Sequence, residues 1–131
     1  MGNFSSALQA IGSNTILIVE GEALVRFDMT AFFEERDWHV FEAEDADQAM
    51  AVLDQRTDIR VVLIDATVSG RMDGLKLAHY VRQRFPPTLL FVVSGQAPVP
   101  QEALPHRATF LPKPFDLHRV LRQIEQSPVT P

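Results

Sequence analysis

Cysteine is absent from this 131-residue sequence, which excludes disulfide bonds, thiolate chemistry and cysteine-ligated zinc. An excess of basic charge is also absent, since 12 Lys and Arg stand against 17 Asp and Glu for a net charge of −5. That balance argues against direct binding of nucleic acid, which requires a cationic face. No apolar run is long enough to span a membrane, and the first residues do not resemble a secretory signal. We therefore expect a cytoplasmic protein that binds neither nucleic acid nor a membrane.

Proline is missing from the first 85 residues, and all nine prolines follow Phe85. Long regular elements are therefore expected first and short irregular ones afterwards, because proline removes an amide donor and breaks helices. Three prolines interrupt residues 95–107, so this segment is predicted to hold at most a turn or two of helix, around residues 101–104. The length and the 46% apolar fraction fit one globular domain.

Aliphatic and β-branched runs predict five short strands that alternate with helices. The predicted strands are residues 15–19, 38–43 (the most exposed, at a sheet edge), 60–65, 88–94 and 108–111. Helical periodicity covers about residues 22–36, 45–55 (capped by Asp45 or Asp47), 75–85 and 117–126, and the apolar stripe of the first helix is Leu24, Phe27, Ala31 and Phe32. The alternation predicts an α/β fold of the flavodoxin-like, doubly wound kind, with a five-stranded parallel sheet in the order 2-1-3-4-5.

Residues that carry chemistry stand at the carboxyl ends of these predicted strands. They are the run Glu20-Gly21-Glu22, Asp65, Ser94 and Lys113. In parallel sheets the functional crevice lies beyond the carboxyl ends of the strands, so these residues are expected to share one cleft. Carboxylates with a hydroxyl and an ammonium can hold a divalent cation and a phosphoryl group, because oxygen ligands suit Mg²⁺ and lysine offsets phosphate charge.

Four motifs carry a family resemblance in their order along the chain. They read ILIVEGE, VVLIDATVSGRMDGLKLA, FVVSG and FLPKPF, within about residues 14–126. Together they resemble the receiver domain of two-component response regulators. The resemblance implies a signalling switch rather than an enzyme, with residues 14–126 as the receiver domain and flexible tails at residues 1–13 and 127–131.

The resemblance also implies roles for individual residues. Asp65 would accept a phosphoryl group from a histidine kinase, a phosphotransfer protein or a small phosphodonor. Lys113 would pair with that group, Ser94 would bond one of its oxygens, and Phe110 would occupy the aromatic switch position. A cis peptide bond at Lys113-Pro114 is expected in the same context.

A Mg²⁺ site is implied as well, held by Glu20, Asp65 and the backbone carbonyl of Thr67. Gly21 departs from the family, which places a metal-binding aspartate at that position. Glycine has no side-chain oxygen, whereas Mg²⁺ keeps several waters and needs few carboxylates. Mg²⁺ binding is therefore predicted to be weakened rather than abolished.

Three functions remain open on the sequence alone. The leading one is a switch operated by phosphorylation of Asp65. The second is a receiver-like module that binds a protein partner independently of phosphorylation, which Gly21 and the proline-rich segment favour. The third is a small enzyme that binds a cofactor or substrate, which is disfavoured because no glycine-rich phosphate loop follows the first strand.

Overall fold

The computed structural model describes residues 14–96 and 98–127, which form a parallel sheet covered by helices on both faces. The strands are β1 (Thr15–Val19), β2 (His39–Ala43), β3 (Val61–Asp65), β4 (Leu89–Ser94) and β5 (Ala108–Pro112). The helices within these ranges are α1 (Ala23–Glu34), α2 (Ala46–Gln55), α3 (Gly74–Arg84) and α4 (Leu117–Gln126). None of them is long and apolar enough to cross a membrane. The tail predicted at residues 1–13, and residues 128–131 of the other, lie outside the described residues.

The strand order is β2-β1-β3-β4-β5, which confirms the predicted topology and the edge position of β2. Every residue of β1 and β3 is buried, because helices cover both faces of the central strands. Successive side chains alternate between two cores. Leu17 and Val62 face the core beneath α2 and α3, whereas Ile18 and Leu63 face the core beneath α1 and α4.

Helix α1 buries a different face from the predicted stripe. Its buried side chains are Met29, Thr30 and Phe33, whereas Leu24 is 82% exposed and Phe27 is 68% exposed. The prediction was wrong for Leu24 and Phe27, whereas Ala31 and Phe32 are half-buried and Phe32 packs against the core beneath α1 and α4. Apolar residues lie around most of the helix circumference, so spacing alone did not single out one face. The orientation is set instead by packing, including an edge-to-face contact between the Phe33 ring and the buried ring of Trp38.

The proline-rich segment contains a single 3-10 turn, Gln101–Ala103, among its described residues. This confirms the prediction of at most a turn or two of helix between β4 and β5. The ring of His79 on α3 lies 2.8 Å from the carbonyl oxygen of Ala103 and so fixes the end of that turn to the body of the domain.

Arg82 anchors the far end of the same segment. Its buried guanidinium donates to the carbonyl oxygens of Pro86 (2.7 Å), Thr88 (2.8 Å) and His106 (3.0 Å). These bonds join the end of α3, the start of β4 and the turn that leads into β5. Arg82 therefore stabilises the short connection between β4 and β5.

Aspartates cap three of the helices. The side chain of Asp45 accepts from the backbone amide three residues on, which settles the choice between Asp45 and Asp47 at the start of α2. Asp47 instead accepts from the Arg71 guanidinium at 2.7 Å. Asp73 caps α3 in the same way, whereas Asp116 caps α4 by accepting from the His118 amide two residues on.

Candidate functional site

Three charged side chains meet at the carboxyl end of the sheet. The Lys113 ammonium lies 2.7 Å from Asp65 Oδ2 and 2.9 Å from Glu20 Oε1, so it bridges the two carboxylates. Glu20 follows β1, Asp65 ends β3 and Lys113 follows β5, so the parallel topology places all three at one edge. Both acids are buried, at 1% exposure for Glu20 and 4% for Asp65.

The backbone fixes the start of the Lys113 side chain. Its amide donates to the Ser94 carbonyl oxygen at 2.8 Å, and the Lys113-Pro114 peptide bond is cis, as the sequence predicts. Burial lowers the pKa of Lys113, but hydrogen bonds to Asp65 and Glu20 outweigh it and raise the pKa above its ordinary value. The ammonium therefore stays charged over the physiological range.

Asp65 accepts hydrogen bonds on both carboxylate oxygens. Oδ2 faces Lys113, and Oδ1 accepts from the Thr67 amide (2.8 Å) and the Thr67 hydroxyl (2.7 Å). Burial opposes ionisation of Asp65, but these bonds outweigh it and hold its pKa below the ordinary value. Asp65 is therefore an ionised carboxylate at neutral pH, the form that acts as a nucleophile.

Glu20 is fixed in a similar way at the other side of the ammonium. Its Oε2 accepts from the Glu22 amide at 2.9 Å, while its Oε1 faces Lys113. All four carboxylate oxygens of Glu20 and Asp65 thus have donors within the protein.

Ser94 and Phe110 take different positions relative to this cluster. Ser94 is buried at the end of β4, next to the strand that ends in Asp65, and its hydroxyl oxygen accepts from the Gln96 amide at 3.2 Å. Phe110 is half-buried on β5 and packs against the core beneath α2 and α3. Ser94 thus lines the same end of the sheet as Asp65, whereas Phe110 lies along the strand.

Gly21 leaves room for a side chain. A Cβ atom at this position would lie 3.6 Å from the Glu44 carbonyl oxygen, an ordinary contact distance, and Gly70 is the glycine with positive φ among the described residues. No group of three or more His, Cys, Asp or Glu side chains placed to hold a metal occurs within the described residues. The acidic pocket therefore offers two carboxylates, with space for a third at Gly21.

Arg26 supports the site, although its role was not predicted from the sequence. The Arg26 guanidinium donates to the Glu20 carbonyl oxygen at 2.7 Å and to Glu42 at 3.2 Å, and it lies 3.6 Å from the Glu44 carboxylate. It thereby ties the loop after β1 to the end of β2. No local pattern signals this role, since the partners become neighbours only when the sheet forms.

Gly74 begins α3 directly against the segment that carries Asp65. A Cβ atom here would collide with the Asp65 carbonyl oxygen and lie 2.7 Å from the Ala66 Cα. We expect Gly74→Ala to lower the free energy of unfolding by roughly 1–3 kcal/mol, because backbone atoms cannot move aside as a flexible side chain can. Urea denaturation measures the loss, with Gly21→Ala as the control because its added Cβ would make only an ordinary contact. Equal midpoints for Gly74→Ala and the unmodified protein would contradict this packing.

Comparisons with known proteins agree with the fold and with the motifs. The model of the response regulator receiver domain family matches residues 16–125. The chain is 28% identical over 121 residues to the sensor kinase CckA of Brucella abortus (strain 2308), covering 88% of this chain and 12% of that protein. It is 35% identical over 77 residues to the aerobic respiration control protein ArcA of Escherichia coli (strain K12), covering 59% of this chain and 32% of that protein.

Solved structures show the same similarity. The receiver domain of NtrX from Brucella abortus is 28% identical, with a TM-score of 0.74 over 86% of this chain and 99% of that one. A response regulator receiver protein from Sinorhizobium medicae WSM419 has the same fold, with 22% identity and a TM-score of 0.77 over 86% of this chain and 91% of that one. The chain belongs to the response regulator receiver domain family, whose members are signalling modules of two-component systems.

Proposed function

We propose that this receiver domain is a switch operated by phosphorylation, with Asp65 as the phosphoacceptor. The observation that carries the proposal is the Lys113 ammonium bridging Glu20 and Asp65 at the carboxyl end of the sheet. This arrangement places the ionised carboxylate of Asp65 next to a cation that can pair with the oxygens of an incoming phosphoryl group. On this proposal the protein receives and passes on a signal and does not turn over a substrate.

The proposed transfer uses groups that are already in place. A lone pair of Asp65 Oδ2 forms the bond to phosphorus, and the bond between phosphorus and the donor atom breaks, with its electron pair leaving on the donor. Lys113 then pairs with the phosphoryl oxygens, and the Ser94 hydroxyl donates to one of them while its oxygen still accepts from Gln96. Phe110 would change its packing on β5 as the site rearranges.

Mg²⁺ is the cofactor we assign to this pocket, since receiver domains generally bind this ion among their acidic residues. Glu20, Asp65 and the Thr67 carbonyl would hold it, and all three supply the hard oxygen atoms that suit the ion. When bound, Mg²⁺ neutralises negative charge as the phosphoryl group reaches the carboxylate. Gly21 leaves the pocket one carboxylate short, so we propose that binding is weak.

A histidine kinase or phosphotransfer protein is the partner that we propose as phosphodonor. The similarity to a sensor kinase and to a response regulator supports this assignment. We also propose residues 14–126 as the domain that acts in the exchange, whereas the cytoplasmic location and the absence of direct nucleic-acid or membrane binding stay predictions from the sequence.

A receiver-like module that binds its partner without phosphorylation is the second candidate. It is favoured by Gly21 and by the four carboxylate oxygens of Glu20 and Asp65, each of which already has a donor in the protein. On this alternative the cluster is a structural salt bridge, and the short connection between β4 and β5 shapes the binding surface.

Intact-mass measurement separates the two candidates. After incubation with acetyl phosphate and Mg²⁺, we expect the protein to gain the mass of one phosphoryl group, and we expect Asp65→Asn to gain none because its amide is a poor nucleophile. Asp54→Asn, which changes an exposed aspartate on α2, is the matched control and should behave like the unmodified protein. No uptake by the unmodified protein would favour the module that works without phosphate, and a bound chromophore after purification would favour an enzyme.

A further inference from the structure

Arg26 holds the loop after β1 on both sides of Gly21. Its guanidinium donates to the Glu20 carbonyl oxygen at 2.7 Å, and its backbone amide donates to the Glu22 carbonyl oxygen at 2.9 Å. The Arg26 side chain is only 13% exposed, so water competes little for the first of these bonds. One residue therefore fixes the chain before and after the glycine.

The guanidinium is itself held by acids at the end of β2. Its Nε donates to Glu42 at 3.2 Å and one terminal nitrogen lies 3.6 Å from the Glu44 carboxylate, while the other terminal nitrogen makes the bond to Glu20. Three nitrogens with three separate acceptors fix the plane of the group. The single nitrogen of a lysine could not reach all three acceptors.

The direction of the Glu20 carboxylate depends on the same loop. Its Oε2 accepts from the Glu22 amide at 2.9 Å, and only Gly21 lies between the two residues. Glycine places few steric restraints on its backbone torsions, so contacts made elsewhere must fix the direction of the Glu22 amide. The bond from Arg26 to the Glu20 carbonyl is such a contact, because it fixes the peptide that joins Glu20 to Gly21.

We propose that Arg26 is a positioning residue for the divalent cation, which acts by holding the Glu20 carboxylate in place across the glycine. This inference rests on the proposed function, in which Glu20 and Asp65 hold Mg²⁺. A pocket without a side-chain ligand at position 21 depends more strongly on the placement of Glu20. Residues that orient metal ligands commonly change metal affinity by roughly ten- to a hundredfold.

Charge alone predicts the opposite effect of removing Arg26. The substitution deletes a cation near the pocket and leaves Glu42 and Glu44 without this partner. Both changes attract a divalent cation more strongly. A loss of Mg²⁺ affinity in the variant is therefore evidence for positioning.

Arg26→Met tests the proposal, with Arg36→Met as the matched control. Arg36 also carries one charge and donates to a carbonyl oxygen, that of Phe32, but it lies beyond the opposite end of α1. Titration calorimetry should show about tenfold weaker Mg²⁺ binding for Arg26→Met and unchanged binding for Arg36→Met. Arg26→Lys should also bind Mg²⁺ more weakly, although it keeps the charge.

Gly21→Ala separates positioning from a merely structural role. Its Cβ makes only an ordinary contact and restricts the backbone torsions at position 21. We expect the double variant Arg26→Met/Gly21→Ala to recover about threefold of the lost affinity, and Gly21→Ala alone to stay within about twofold of the unmodified protein. A general loosening of α1 from β2 would not be corrected by a methyl group at position 21.

Hydrogen exchange gives a readout without metal. In Arg26→Met the Glu22 amide should exchange about tenfold faster, because its bond to Glu20 opens more often, whereas the amides of β3 should keep their rates. NMR spectroscopy of both proteins without Mg²⁺ measures these rates.

Three results would each overturn the inference and leave phosphorylation of Asp65 intact. They are unchanged or tighter Mg²⁺ binding in Arg26→Met, unchanged exchange at Glu22, and no recovery in the double variant. If circular dichroism shows that Arg26→Met does not fold, Arg26→Lys decides by the same measurements. An unmodified protein that neither binds Mg²⁺ nor takes up a phosphoryl group from acetyl phosphate would overturn the proposed function as well.

Discussion

Lys113→Met is expected to lower the free energy of unfolding by roughly 3–5 kcal/mol at pH 7, since removing one partner of a buried ion pair leaves an uncompensated charge. Glu20 and Asp65 are both buried, and the Lys113 ammonium bridges them. Methionine retains much of the lysine stem but supplies no charge. Urea denaturation monitored by the fluorescence of Trp38, which is buried in the folded protein, measures the change.

The loss should depend on pH in a defined direction. In the unmodified protein the pKa of Asp65 is lowered on folding, so its contribution to stability is present above the pKa of the unfolded chain and is lost as the pH falls through the folded value. Without Lys113 the strongest hydrogen bond that lowers the pKa of Asp65 is lost while burial still raises it, so the pKa of Asp65 should be higher than in the unmodified protein. Acidification then relieves the repulsion between the two buried carboxylates, so the stability gap between Lys113→Met and the unmodified protein should narrow as the pH falls from 7 towards about 4.

Lys76→Met is the matched control. Lys76 is the other lysine of the sequence, and it lies exposed on α3, where its side chain forms no ion pair with the residues that the structure describes. Its replacement should change stability by no more than about 0.5 kcal/mol at any pH. A gap for Lys113→Met that stays constant from pH 7 to pH 4 would show that lost packing, rather than unpaired charge, is the cause.

The sheet could be predicted because its signal is local. Thr15–Val19 and Val61–Asp65 are almost entirely aliphatic. Such short runs are typical of strands that are buried on both faces of a parallel sheet. The same strands then dictated that Glu20 and Asp65 lie side by side, because parallel strands place their carboxyl ends at one edge. The positions of Glu20 and Asp65 could therefore be predicted from the same strands that predict the fold.

The orientation of α1 could not be predicted in the same way. Its sequence offers apolar residues on several faces, so the hydrophobic period fits more than one rotation of the helix. Tertiary contacts choose between them: Phe33 meets Trp38, while Leu24 and Phe27 remain in solvent. The supporting bonds of Arg26 and the donor role of the Thr67 hydroxyl were missed for a related reason, since both depend on the placement of individual side chains.

Gly21→Asp is expected to tighten Mg²⁺ binding roughly tenfold or more, because a new carboxylate would add a direct oxygen ligand beside Glu20 and Asp65. One objection to this substitution is that a side chain at position 21 would strain the backbone, and the structure shows no such strain. The backbone of Gly21 does not lie in the left-handed region, and its Cβ position is open to within 3.6 Å of the Glu44 carbonyl oxygen. Aspartate should therefore fit without backbone strain.

Stability should respond to the metal in the same variant. Without Mg²⁺, a third carboxylate beside Glu20 and Asp65 adds repulsion, so we expect Gly21→Asp to be less stable than the unmodified protein. Saturating Mg²⁺ should reverse that order, since an ion that binds only the folded state stabilises it in proportion to its affinity. Gly21→Asn introduces a side chain of similar size without charge. It should lose less stability without Mg²⁺ and gain less stability from saturating Mg²⁺ than Gly21→Asp.

Titration calorimetry with Mg²⁺ on the three proteins is the direct measurement. Trp38 immediately precedes β2, at the end of the strand opposite the site, and is a remote reporter of binding. Uptake from acetyl phosphate at low Mg²⁺ should also be faster for Gly21→Asp, because more of the protein then carries the ion that offsets phosphoryl charge. If the unmodified protein binds Mg²⁺ as tightly as Gly21→Asp, the missing carboxylate at position 21 does not limit metal binding. The hypothesis of a module that works without phosphorylation would then lose its main argument. The hypothesis of a phosphorylation switch at Asp65 would be strengthened.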